Sequence, residues 1–217
     1  MRTIAVSALR EEPQKYIEVA QILSQGGLVC FPAASGYKIA ARLRSEFAVT
    51  SVLQAKRRVT NAPALVFVPD ASAVDQLAAN VSQEARTLME AFWPGPVTLL
   101  VKMSDEIDPF IRKSLTKAKG WLGVRVPHEE VPAGILRAFG EPLLVSSANI
   151  ASKRGAHSVA QVRKNFGRTV ELLLDAGDIH PQPNSTLVDV SSDRIRVVRA
   201  DAVPEEKIMY ALAADGP

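Results

Sequence analysis

Two short polar stretches far apart in the chain combine residue types that hold phosphate: Lys56-Arg57-Arg58 and Ser146-Ser147-Ala148-Asn149. Lysine and arginine supply fixed positive charge, and arginine adds a planar fork that grips two oxygens at once. Serine and asparagine supply neutral groups that orient a polar ligand. Each stretch sits where a structure-forming run stops. The first follows the helix-like Ser45–Ala55 and the second follows the apolar run Pro142–Val145, so folding can bring both to one rim of a sheet. Together they read as an anion site with hydrogen-bonding walls. Taken alone, the first also reads as a solvated helix end, where cations suit the C-terminal dipole. The second, alone, also reads as a polar turn after a strand. Arg125, inside the apolar run Trp121–Val126, reads either as a ligand-gripping guanidinium or as a structural ion-pair residue,.

Other chemistry is sparse. Cys30 is the one cysteine, so no disulfide forms within the chain, and its neighbours Leu28, Val29 and Phe31 make it an inert core thiol,. His128, His157 and His180 lack partners at zinc-ligand spacing, so no metal site is expected,. Net charge is +3 over 217 residues, too mild to signal nucleic acid by itself. The basic residues gather locally, at Lys56–Arg58 and at Arg112, Lys113, Lys117 and Lys119, where a patch attracts anions that the global charge would not,. No apolar run approaches the roughly 20 residues that span a bilayer. The start, Met1–Ser7 followed by Glu11 and Glu12, lacks the apolar core of a secretion signal,. Cytoplasmic residence without a membrane partner is the expectation.

The elements that must position these groups alternate along the chain. Pro13 suits a helix first turn, and Tyr16, Ile17, Ala20 and Leu23 recur at helical spacing until Gly26-Gly27,. Strand Leu28–Phe31 follows, then a loop of small residues, Ala33-Ala34-Ser35-Gly36. After the helix Ser45–Ala55, Ala64–Val68 reads as a buried strand, Asp70 and Ser72 can cap Ala73–Ala79, and Ser82 can cap a helix to about Phe92. Trp93-Pro94-Gly95-Pro96 breaks that helix and turns the chain into strand Val97–Lys102. The segment Ile107–Gly120 is basic and is read as partly mobile, a candidate lid. Strand Trp121–Val126, helix Val131–Phe139 ending at Gly140 and strand Pro142–Val145 come next. Ser158 opens a helix to Phe166, three strands follow near Val170–Leu174, Ser185–Val190 and Arg194–Val198, and a last helix runs from Pro204 to about Ala213. The sum is one α/β domain over 1–217, core about 10–201, with a twisted mixed parallel and antiparallel sheet flanked by helices.

Six marks in this order resemble the YrdC-like family, which includes threonylcarbamoyl-adenylate synthases and the YciO branch. They are Gly27–Ala41, the Lys-x-Arg of Lys56 and Arg58, Trp93-Pro94-Gly95-Pro96-Val97-Thr98-Leu99, Val124-Arg125-Val126-Pro127, Ser147-Ala148-Asn149, and Ser185-Thr186-Leu187-Val188-Asp189 followed by Arg199. Any one is weak; the ordered set is specific, and it covers about Gly26 to Asp201. The resemblance implies a YrdC-like fold with a concave basic cleft. It also implies an ATP-dependent nucleotidyltransferase that joins L-threonine, bicarbonate and ATP into threonylcarbamoyl-AMP and pyrophosphate for a tRNA modification. Mg²⁺ would arrive with ATP as a substrate complex, with no tightly bound cofactor.

Carried over by position, Lys56 and Arg58 resemble the catalytic cations that neutralise phosphoryl oxygens. Ser147, Asn149 and Arg199 join them as nucleotide-binding residues. Arg125 resembles the arginine on the amino-acid carboxylate, Ser185 a serine on the same side, and Ser35 stands where many members have a threonine. Trp93 and Trp121 read as packing anchors, and Trp121 falls near a nucleotide-side position. Departures sit on the amino-acid side. The family loop Pro-Thr-Asp-Thr-Val-Tyr-Gly-Leu is here Pro32-Ala33-Ala34-Ser35-Gly36-Tyr37-Lys38-Ile39; Phe67 replaces a frequent histidine and Val145 a frequent serine. Lys38 reads as a surface residue, with a role in compensating the lost loop residues as the alternative. A changed substrate, a slow synthase, and a paralogue that binds nucleotide, tRNA or double-stranded RNA without this reaction all stay open, as do partner proteins in tRNA modification.

Overall fold

Val29–Ala33 (β2) turns back on Gly36–Arg42 (β3) through a two-residue connection, with Ala33 opposite Gly36 and Val29 opposite Ala40. Gly36 permits the turn. Its φ is +111°, and a Cβ there would lie 2.9 Å from His157 Nδ1 and 3.0 Å from Ala156 O,. In the computed structural model the described residues are 1–56, 63–115, 120–150, 156–180, 182–192 and 194–214. The small residues at 33–36 predict a loop, and β3 is absent from that reading; the structure corrects this to a hairpin. Tyr37, Ile39 and Ala41 enter one core while Ala40 enters the other, the two-residue alternation of a strand buried on both faces,.

The remaining strands are Arg2–Ala5 (β1), Ala64–Phe67 (β4), Val97–Lys102 (β5), Trp121–Arg125 (β6), Leu143–Ser147 (β7), Leu172–Asp175 (β8), Thr186–Asp189 (β9) and Arg196–Arg199 (β10). Among the described residues they form one sheet in the order β1-β8-β2-β3-β7-β4-β6-β5-β9-β10. Pairings β1/β8, β2/β8, β4/β6 and β5/β9 are parallel, and the rest are antiparallel. The mixed sheet flanked by helices agrees with the sequence reading. Three local expectations change. Strand β1 and the helix Val6–Glu11 (α1) escape the pattern because β1 is a largely exposed edge with no apolar alternation. The expected helix Ala73–Ala79 is a 3-10 turn, Ser72–Gln76, started by Asp70 Oδ1 accepting from Ala73 N at 3.1 Å. The expected mobile stretch contains a helix, Pro109–Leu115 (α5), which buries Ile111 and Leu115 one turn apart; positions 116–119 lie outside the described residues.

Helices cover both faces. Residues of α1, Lys15–Ser24 (α2) and Glu130–Phe139 (α6) bury Leu9, Val19, Leu23, Val131, Ile135 and Leu136 against Phe31, Ala40, Phe67 and Val145. Each such aliphatic side chain contributes about 1.5–3 kcal/mol by leaving water. Helices α2 and α6 approach closely because position 134 is glycine: a Cβ there would sit 2.4 Å from the Tyr16 ring. The opposite face packs Glu46–Ala55 (α3), Gln83–Phe92 (α4), α5, Val159–Phe166 (α7) and Glu205–Ala214 (α8). Ser45, Ser82 and Ser158 cap α3, α4 and α7 by accepting the N–H of Ala48, Ala85 and Gln161 at 3.2–3.3 Å. Such a cap is worth about 1 kcal/mol. No described helix is long and apolar enough to cross a membrane.

Candidate active site

Helix α3 ends at Lys56, whose N–H still bonds to Val52 O, and the strand β7 ends at Ser147. The end of β7 is held by β3: Lys38 stands opposite Ser147, and Ala148 N donates to Tyr37 O at 2.8 Å. These anchors place the Lys56 ammonium on the serine and asparagine. Nζ donates to Ser147 O, to Ser147 Oγ at 3.1 Å and to Asn149 Oδ1 at 2.8 Å, across 91 and 93 residues of sequence. Ser147 Oγ donates to the same Asn149 oxygen. Lys56 is only 7% exposed, so its charge sits in a poorly hydrated place against neutral oxygens of these two residues. Thus Lys56, Ser147 and Asn149 are brought together as the sequence suggests. Ser147 itself belongs to the strand rather than to the turn after it. Arg58 lies outside the described residues.

A second set of polar groups lies on the sheet face that carries Phe31, Phe67 and Val145. Arg125 closes β6 there and is 7% exposed. Its Nε donates to Gly95 O at 2.7 Å and its Nη2 to Glu129 Oε2 at 2.7 Å, with His128 Nδ1 3.4 Å away. The guanidinium carbon stands 5.5 Å from the centre of the Phe67 ring, and Phe67 is 6.5 Å from Phe31. The ion-pair reading of Arg125 is therefore present in the free protein. It leaves two handles for a ligand: among the described residues Nη1 makes no hydrogen bond, and Glu129 Oε1 is buried without one.

Leu99 pairs with Val124, which puts Thr98 beside Arg125. Thr98 Oγ1 and Ser185 Oγ share a hydrogen bond of 2.7 Å, and Arg199 Nη2 donates to Ser185 O at 2.6 Å. Arg199, which the resemblance assigns to nucleotide, thus sits with the serine assigned to the amino acid. Ser35 lies half-buried at the tip of the β2–β3 hairpin, which is tied down by Gln182 N donating to Ala34 O at 2.8 Å.

Lys38 departs from its expected place on the surface. It is half-buried, and burial pushes its ammonium down to about 8; Arg125 and Arg199 add to the fall, and Glu129 opposes it. Sequence reasoning missed Glu129 and Thr98 as site residues and weighed Lys38 only as the alternative to a surface residue. A lone threonine in the apolar run Val97–Val101 is a usable signal for Thr98, and an acid four residues after an arginine is a weak one for Glu129. The signal for Lys38 is its arrival in the altered loop, and the face it takes follows only from knowing that 36–42 is a strand. Among the described residues no group of three or more His, Cys, Asp or Glu is arranged to hold a metal ion.

Comparison with known proteins follows the same outline. Residues 21–201 match the Sua5/YciO/YrdC family model, described as telomere recombination. A Mycobacterium tuberculosis protein provisionally named threonylcarbamoyl-AMP synthase is 34% identical over 193 residues, covering 89% of this chain and 87% of its own. The threonylcarbamoyl-AMP synthase of Pyrococcus abyssi is 28% identical over 92% of this chain, which spans 57% of that longer protein. Crystallised with L-threonine, P. abyssi Sua5 superposes with a TM-score of 0.84 at 27% identity, over 97% of this chain and 60% of that one. Escherichia coli YciO shares the fold, with a TM-score of 0.76 at 22% identity over 88% of this chain and 91% of its own.

Proposed function

The chain belongs to the Sua5/YciO/YrdC family, and from that membership we propose that it is an ATP-dependent threonylcarbamoyl-AMP synthase. Its substrates would be L-threonine, bicarbonate and MgATP, and its product would feed a tRNA modification. The observation that carries the reading is the meeting of Lys56 with Ser147 and Asn149 at the end of β7, on the sheet in which β6, separated from β7 by β4, ends at Arg125. The relatives' names and the threonine-bound neighbour support the choice of reaction class.

In the proposed chemistry the amine adds to the carbon of bicarbonate and water leaves, giving a carbamate. A carbamate oxygen then bonds to the α-phosphorus as the bond to the bridging oxygen breaks, and pyrophosphate departs. Negative charge builds on phosphoryl oxygens, so cations fixed in advance are the protein's main contribution. Lys56 can exchange its bonds to Ser147 and Asn149 for bonds to phosphate oxygens, with Ser147 Oγ and Asn149 beside it on the nucleotide,. Arg58 would stand beside it. Arg125 can take the α-carboxylate through Nη1 while Glu129 holds the guanidinium in place, and Ser185 and Ser35 flank the amino acid. Lys56, Arg125, Arg199 and Lys38 would give the cleft its basic lining. Mg²⁺ enters on ATP and offsets phosphate charge.

Incubating the purified chain with ATP, Mg²⁺, bicarbonate and threonine tests this: pyrophosphate should appear only when all four are present. Release without threonine, or none at all, overturns the reading. ATP binding by calorimetry without turnover for any amino acid would instead identify a nucleotide-binding paralogue.

A further inference from the structure

We propose that Lys38 holds the carbamate carboxylate of the amino-acid co-substrate, so that this half of the site binds a dianion, the α-carboxylate at Arg125 and the carbamate at Lys38. The inference rests on the synthase reading above and adds a residue and a charge requirement to it.

Lys38 stands between Phe31 and Ser147 in register and shares the side-chain parity of Ala40 in β3, which puts it on the face of Phe31 and Phe67. That face is continuous from Lys38 to Arg125: Phe31 meets Phe67, and Phe67 lies under the guanidinium. The core it borders is apolar and includes the buried Ala33, Phe67 and Val145. Lys38 is a charged side chain at this edge of the core, opposite Ser147, and it makes no side-chain hydrogen bond or ion pair among the described residues.

The charged groups that act on it come from three directions. They are Arg125 at the end of β6, Glu129 before α6, and Arg199 at the end of β10. Glu129 already neutralises Arg125, and Arg199 approaches Asp201 at 4.0 Å. Among the described residues, Lys38 is therefore a cation on this face without a carboxylate of its own. A half-buried ammonium beside two guanidiniums and an apolar core favours an anionic ligand, because little water competes for it. An amino acid brings one carboxylate, and its carboxylated form brings a second on the nitrogen. The dianion matches the pocket; the free amino acid does not.

Succinate is a stable stand-in for carboxylated glycine, with methylene in place of the nitrogen, and butyrate lacks the second carboxylate. By calorimetry on the full chain with ATP present, succinate should bind at least about tenfold more tightly than butyrate, the size of one hydrogen bond to a charged group. Lys38→Met should abolish the preference and Lys38→Arg should keep it, with ATP binding unchanged as the check on folding. Should Lys38→Met misfold, Lys38→Gln serves. Equal binding of the two probes by the wild type, or a preference that survives Lys38→Met, overturns the assignment. In the pyrophosphate assay Lys38→Met should raise KM for bicarbonate and leave KM for ATP alone. If it instead only abolishes a preference for aspartate over threonine, the anion is a side-chain carboxylate and the carbamate assignment is overturned. Succinate selectivity without any pyrophosphate release refutes the synthase reading while keeping the anion site. Release without that selectivity refutes the anion site alone.

Discussion

The two halves of the site hold their buried cations differently. Lys56 is held by neutral oxygens of Ser147 and Asn149, whereas Arg125 is held by the carboxylate of Glu129. Dipoles that solvate a cation can turn away when a phosphate arrives, and the incoming charge improves the electrostatics. A carboxylate cannot be improved upon in that way, so a ligand at Arg125 must share the guanidinium with Glu129. The proposed nucleotide half is thus prepared for exchange and the proposed amino-acid half for sharing. That difference matches which half keeps the family residues and which departs from them at Ala33, Ala34, Phe67 and Val145.

The largest effect should come from the exchanging half. Lys56→Met removes a preplaced positive charge from the phosphoryl group and takes one donor each from Ser147 O, Ser147 Oγ and Asn149 Oδ1. Loss of one such electrostatic contact costs about 10²–10³ in turnover. Pyrophosphate release should fall by at least about 100-fold, and a variant within tenfold of wild type would show that Lys56 is a structural peg.

The sharing half should respond in stability first. Arg125→Met leaves Glu129 as a buried carboxylate without its guanidinium and with only His128 Nδ1, at 3.5 Å, beside it, and breaking such a pair costs about 3–5 kcal/mol. Adding Glu129→Met to it should restore most of the loss, because the pair is then replaced rather than broken. Urea unfolding of the two variants measures this; a double variant no better than the single one would mean that the carboxylate is already hydrated. Arg125→Lys should keep the fold and raise KM for threonine more than for ATP.

Much of this scaffold is legible in the sequence where local and tertiary demands agree. Ser82 caps a helix that ends at Phe92, and Val97–Lys102 is a strand, both as the pattern predicts, because capping, periodicity and the Trp93–Pro96 break all point one way. Lys56, Ser147 and Asn149 are legible because their residue types carry the chemistry whatever the fold. Strand β3 is not, since Ser35-Gly36-Tyr37 has turn composition and becomes a strand only through pairing with β2 and β7. Lys38 inherits that blindness: its face depends on the parity of a strand the pattern hides. Glu129 is hidden for another reason. Only the chain reversal after Pro127 folds it back on Arg125, and no periodicity reports a reversal.

Titration sharpens the comparison, because burial lowers the Lys38 ammonium toward neutrality. The fall is from 10.5 to about 8, with Arg125 and Arg199 contributing and Glu129 opposing. Between those values the unfolded chain keeps the proton and the native one releases it. The native state binds fewer protons, so stability rises as pH climbs from about 8 to 10.5,. Lys38→Met should remove that rise and be the more stable protein at pH 7, by on the order of 2 kcal/mol once solvent screening is allowed for. Succinate binding should move the opposite way in the wild type, weakening above pH 8 as the ammonium is lost. Parallel pH curves for wild type and variant would refute the assignment of this titration to Lys38.

The smallest effect is expected one residue away from Glu129. Glu130 also pairs with an arginine, Arg10, at 2.7 Å and with two further contacts to its Nε, so the geometry is at least as good as that of the buried pair. The difference is water: the Arg10 and Glu130 side chains are 65% and 53% exposed, against 8% and 15% for Arg125 and Glu129. The hydrogen bond from Arg10 holds the Glu130 carboxyl below its ordinary range, yet exposure lets solvent and salt replace the partner,. Glu130→Gln should therefore leave the melting temperature within the scatter between preparations, with any residual change vanishing in high salt. Glu129→Gln, one position earlier, should lower it clearly and independently of salt. If adjacent substitutions of the same kind gave equal losses, burial would not be what separates the two ion pairs, and the sharing half of the site would lose its physical basis.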